Sequence, residues 1–135
     1  MATRGIRGAT TVKEDKPGTV LLATRELLEQ IMMENSGMRI EEIASAFFTL
    51  TEDLSSAYPA LAARQMGWEA VPMLCSREIP VPGSLPRVVR VLVHWNTDTP
   101  QSDIRHVYLH EAAELRPDLC LIEQPILFNS EEKQP

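Results

Sequence analysis

The chain has 135 residues but only two cysteines and three lysines, and no apolar run near the roughly 20 residues that a membrane-spanning helix needs. Each shortage excludes something. Cys75 and Cys120 lie too far apart in sequence to form a paired-cysteine zinc pattern, and a cytosolic chain keeps such thiols reduced, so no disulfide is expected. No apolar segment follows Met1-Ala2-Thr3-Arg4, which runs straight into Gly5-Ile6-Arg7, so a cytoplasmic protein is expected. There is no Walker loop and no dinucleotide fingerprint, and Gly5-Ile6-Arg7-Gly8 is too short to cradle a phosphate. With no internal repeat, low-complexity stretch or linker, the length suits one domain with one hydrophobic core.

What is present favours a folded, anion-binding protein. Hydrophobic residues make up 44% of the chain, enough to fold. The net charge of −6 argues against a nucleic-acid binder, which presents a basic face. Of the 13 basic residues, ten are arginine. A guanidinium pairs bidentately with carboxylates and tolerates burial better than an ammonium. An acidic protein with arginines in apolar segments has the means to bind a small anion, although surface salt bridges use the same residues.

Periodicity gives a coarse fold. Residues 3–12 read as a strand with Gly5, Arg7, Ala9 and Thr11 on one face, leaving room for a ligand beside Arg7. Residues 16–35 read as a helix: Pro17 suits the first turn, Val20, Thr24, Leu27, Leu28 and Ile31 form a stripe, and Asn35-Ser36-Gly37 stops it. Phe47, Phe48 and Thr49 favour a strand in the otherwise ambiguous stretch 43–51. A short helix over 59–66 closes at Gly67, and a strand over 70–75 is demoted toward an edge by Pro72. After the Pro-rich loop 80–86, residues 87–95 look apolar on both faces, which predicts a central, covered strand. A further strand is expected over about 106–113, and fraying from Asn129. The expected class is α+β: a mixed five-stranded sheet with one long helix and short helices.

Arg90 is the most informative position, because a permanent cation in a covered strand needs an anion, either an internal glutamate or a bound substrate. Cys75 and Glu78 sit where a strand gives way to a loop, a common place for site residues. Cys75 has no histidine close in sequence to act as its base, so a small buried side chain is the simpler reading. His106 and His110 are four apart, and in the expected strand their rings would lie about 13 Å from each other, too far to share a metal.

Taken in order, several segments resemble the homotrimeric, monofunctional chorismate mutases of the bacterial mixed α/β-barrel type. They are Arg4-Gly5-Ile6-Arg7-Gly8-Ala9-Thr10-Thr11-Val12, Arg87-Val88-Val89-Arg90-Val91, Asp98-Thr99-Pro100-Gln101, Ile104-Arg105-His106-Val107-Tyr108-Leu109 and Leu115-Arg116-Pro117-Asp118-Leu119. The resemblance implies a mutase domain over residues 1–119, a tail over 120–135, and a trimer with its sites between subunits. It implies that Arg7 holds the enolpyruvyl carboxylate of chorismate with help from Tyr108. It sets Arg90 against the ether oxygen, and Glu78 and Cys75 around the ring hydroxyl. Tyr58 and Arg64 would wall the pocket mouth, Leu74 would line it, and Arg116 would belong to the segment that closes over it. Leu61 and Leu74 stand where some members carry lysine and threonine.

The implied reaction is an intramolecular [3,3] shift to prephenate, in which one C–O bond breaks as one C–C bond forms. It moves no proton, so the resemblance implies no cofactor and no metal. The tasks are to hold a flexible dianion in its folded shape and to place positive charge where the ether oxygen becomes negative. Two other classes remain open at this point: a trimeric imine or enamine deaminase that also holds a carboxylate with arginine, and a non-catalytic sensor of an aromatic metabolite.

Overall fold

The structure, a computed structural model, describes residues 1–116. The expected tail over 120–135, Cys120 and the last three residues of the expected domain lie outside the described residues. Five strands form one mixed sheet in the order β3-β2-β4-β1-β5: β1 Ala2–Thr11, β2 Ile43–Leu50, β3 Met73–Arg77, β4 Val88–Thr97 and β5 Val107–Tyr108. β4 lies in the middle, antiparallel to both β1 and β2, while β3 and β5 run parallel to their neighbours.

The long helix α1, Pro17–Glu34, covers one face of this sheet. Its buried residues are the stripe expected from periodicity, Val20, Thr24, Leu27, Leu28 and Ile31. Leu27, Leu28 and Ile31 meet Ile6 of β1, Phe48 of β2, and Val91 and Val93 of β4 in the main core, while Val20 packs with Val12, Leu50, Leu54 and Val89 in a second cluster. Gly8 makes the closest approach possible: a Cβ there would lie 2.8 Å from Ile31 Cδ1 and 3.2 Å from both Leu27 and Val91. The short helix α2, Pro59–Gln65, buries Ala60, Ala62 and Ala63. It ends at Gly67, which takes the positive φ of +100° that favours glycine.

Three expectations need correction. β4 is central but covered along its whole length on one face only, the other being covered only at Val88. Val89, Val91, Val93 and Trp95 are buried, while Arg90 is exposed, with Leu92 and His94 half-buried beside it on the other face. β3 starts after Pro72, not at Ala70, because proline has no N–H to give the ladder. The last strand is two residues long, not eight, and is followed by a 3-10 helix over His110–Glu114. Side chains take over its task at the edge of β1. Gln101 bonds Gly5 in both directions at 3.1 and 2.9 Å, and the Arg7 N–H donates to His106 Nδ1 at 2.9 Å. The distance argument against a shared metal site therefore lapses. Instead, His106 is engaged by Arg7, and His110 Nε2 lies 3.0 Å from Glu26.

Candidate active site

The open face of the sheet carries two adjacent cross-strand rows. One runs Ser76, Thr49, Arg90, Ala9, Tyr108 across β3, β2, β4, β1 and β5. The next runs Leu74, Phe47, Leu92, Arg7. Residues directly opposite in a sheet share a face, and diagonal neighbours lie about 7–8 Å apart, so Arg7 and Arg90 face the same space. The methyl group of Ala9 is all that stands between Arg90 and Tyr108 in their row. A hollow of about 350 Å³ forms there, lined by Arg7, Gly8, Phe47, Thr49, Glu78, Arg90, Val91, Leu92 and Tyr108.

Glu78 reaches this hollow from just past the end of β3, where its N–H donates to the Leu50 carbonyl at 2.8 Å. Its Oε2 lies 3.3 Å from Arg90 Nε, with the guanidinium side chain 44% and the carboxylate side chain 23% exposed. Of the two anions considered for Arg90, an internal glutamate is thus present. The same oxygen accepts a hydrogen bond from Thr49 Oγ1. A larger cavity of about 850 Å³ lies elsewhere, among Val12, Leu22, Arg87 and Glu111. It contains none of the residues expected to carry chemistry, so size does not identify the site here.

The scaffold around the hollow is heavily tied. Arg77 donates to the carbonyls of Thr51 and Leu54 at 2.8 and 2.6 Å, which fixes the end of β3 beside Glu78. Arg87, immediately before β4, has a positive φ of 51°, an unusual conformation for a long side chain. It is held by the Asp53 carboxylate, which accepts its N–H at 3.0 and 3.1 Å, and by its Nε donating to Val12 O at 2.9 Å. Glu78 and the strand that bears Arg90 are therefore anchored to the same turn. Tyr108 is buried with Ala9, Val88 and Ala112, and Leu85 and Leu115 pack against them at the flank of the hollow. Beneath Arg7, burial first, then the charges of Arg7 and Arg116, hold the pKa of His106 below its usual value. The neutral ring suits its role as acceptor for the Arg7 N–H.

Within one chain, Arg7, Glu78, Arg90 and Tyr108 come together. Leu74 sits on the same face beside Phe47 but outside the lining, and is 65% exposed. Cys75 is not brought in. The parallel register pairs it with Phe48, so it points to the helix side and packs against the main core. Tyr58, which is 71% exposed, and Arg64 lie outward at the two ends of α2, away from the hollow. Arg116 is near enough to act on His106. Reading the sequence alone misses Thr49 and Phe47, because only the register of β2 against β4 reveals their place.

Comparison with known proteins shows the family. A family model for chorismate mutase type I matches residues 3–119. The chain is 62% identical over 116 residues to the chorismate mutase AroH of Thermus thermophilus, covering 86% of this chain and 95% of that protein. It is 44% identical over 122 residues to the chorismate mutase AroH of Bacillus subtilis strain 168, covering 90% and 95%. A solved chorismate mutase from Clostridium thermocellum matches with a TM-score of 0.79 at 44% identity, covering 82% of this chain and 97% of that one.

Proposed function

The chain belongs to the chorismate mutase type I family and is a chorismate mutase, an isomerase; from that premise we propose how the hollow on the open sheet face carries the rearrangement to prephenate. The observation that supports the mechanism is that two guanidiniums, Arg7 and Arg90, and one carboxylate, Glu78, line a single cavity. Arg7 and the hydroxyl of Tyr108 take the enolpyruvyl carboxylate and hold the side chain folded over the ring. Bringing the two carbon termini together in advance removes much of the entropic part of the barrier. Arg90 stands against the ether oxygen. As the C–O bond lengthens, charge builds there, and a preplaced cation stabilises the transition state more than the ground state. The free side of the Glu78 carboxylate accepts from the ring hydroxyl. Cys75 keeps a packing role on the far side of the sheet.

We place the working site between subunits of a homotrimer in the cytoplasm. The hollow is open on one side, and Phe47 and Leu74 leave apolar surface exposed beside it. Tyr58 and Arg64 face outward on their own chain, positioned to serve a neighbour's hollow, and Leu74 and Arg116 complete its rim. No described helix is long and apolar enough to cross a membrane. Purified protein mixed with chorismate and EDTA tests the reading: loss of chorismate and appearance of prephenate are expected, undiminished by the chelator. Absence of turnover, or ammonia release from an imino acid instead, would contradict it.

A further inference from the structure

The geometry points to Thr49 as a positioning residue that keeps Glu78 and Arg90 from collapsing onto each other. This rests on the roles proposed above for Glu78 and Arg90. Thr49 is the direct β2 partner of Arg90, so their Cβ atoms lie about 4.5–5.5 Å apart on the open face. Its hydroxyl donates to Glu78 Oε2, the oxygen that also lies 3.3 Å from Arg90 Nε. One carboxylate oxygen is thus shared between two donors from adjacent strands.

The consequence follows from electrostatics. A carboxylate beside a guanidinium gains most from a bidentate, fork-to-fork pair. Such a pair would draw both Glu78 oxygens onto Arg90, neutralise the charge intended for the ether oxygen, and withdraw the acceptor for the ring hydroxyl. The Thr49 hydroxyl competes for Oε2 and so holds the carboxylate in a single-oxygen contact. Threonine suits the position because its branched Cβ fixes χ1 on a strand, so the hydroxyl keeps its direction while the methyl group packs.

The test is a double-mutant cycle on the whole protein, with kcat and KM for chorismate measured for Thr49→Val, Thr49→Ser, Glu78→Ala and the pair Thr49→Val/Glu78→Ala. Valine keeps the shape and the strand preference, and circular dichroism with thermal melting checks that each variant folds. A hydrogen bond to a charged group sets the scale, so Thr49→Val is expected to lose roughly tenfold in kcat/KM. Most of that loss should fall on kcat, because the Arg90 charge acts mainly in the transition state. Thr49→Ser should stay within about threefold of the parent. In the Glu78→Ala background the Thr49→Val change should have no further effect, since its target is gone. An equal loss in that background, or full activity of Thr49→Val beside an impaired Glu78→Ala, would overturn the proposal and leave the site reading standing. Full activity of Glu78→Ala would overturn the site reading itself, and the proposal with it.

Discussion

At the scale of single residues, the two arginines and one histidine show how neighbours set a side chain's use. Arg90 was the position most legible in the sequence, as a permanent cation set in a run of valines, but for a reason only half right. The strand is central, yet Arg90 lies on its open face and not under cover. The alternation was obscured because Val88 and Leu92 share the open side with Arg90, so the run looks apolar on both faces. Thr49 and Glu78 are 29 residues apart and meet only through the parallel register of β3 on β2, which no local pattern encodes. The facing of Cys75, which the resemblance sets near the ring hydroxyl and which its lack of a nearby histidine reads as a small buried side chain, likewise depends on that register. Because it packs against the core, Cys75→Ser should retain substantial turnover; complete loss in a folded variant would revive a role for the thiol. His106 gives a pH prediction. Its folded pKa is lowered from 6.5, first by burial, then by Arg7 and Arg116. The unfolded chain therefore takes up a proton at a pH where the folded chain still refuses it. The stabilisation is complete above about 6.5, declines as pH falls through the lowered folded value, and then levels off. Melting temperature followed from pH 7.5 downward should show this decline, and His106→Asn, which keeps an acceptor for Arg7 N–H without titrating, should flatten it. Equal slopes for the two proteins would contradict the account.

At the scale of elements, helix α1 was the most legible, because a stripe at period 3.6 next to a proline start and an Asn-Ser-Gly stop admits one reading. Asn35 does more than stop it. Its side chain bonds the carbonyl and N–H of Arg105 at 3.0 Å each, joining the helix end to the segment that carries His106. A strand is expected where β5 lies, but its two-residue length is illegible because Gln101 and His106 side chains replace strand backbone, and residue type does not announce such a substitution. The contact between α1 and β1 turns on Gly8, beside Arg7. Gly8→Ala would drive a methyl group to 2.8 Å from Ile31 Cδ1 and into contact with Leu27 and Val91. Overpacking of this kind typically destabilises by about 1–3 kcal/mol. Denaturant unfolding should show that loss, together with weaker chorismate binding as Arg7 shifts. An unchanged midpoint would mean that the helix yields more easily than its packing implies.

At the scale of the whole molecule, an open cavity, exposed Phe47 and Leu74, and an outward-facing Tyr58 and Arg64 support the proposal that neighbouring subunits complete the site. Light scattering on a sizing column should give three times the 15.1 kDa chain mass; a stable, active monomer would remove the shared site. The assembled enzyme is proposed to need no titrating catalyst, so single-turnover rates should vary little across neutral pH, and a steep bell-shaped profile would speak for proton transfer. The proposed mechanism depends on a fixed positive charge at the ether oxygen. Turnover by folded, trimeric Arg90→Ala, set beside the parent protein and Arg90→Lys, tests this most directly. Losing one neutral oxyanion donor typically lowers the rate about 10²–10³-fold, and a full cation should count for at least as much. The predicted result is a fall in kcat of at least that size for Arg90→Ala. Arg90→Lys should recover only part of it, since lysine lacks the two-donor fork. Near-normal turnover by a folded Arg90→Ala trimer would contradict the account.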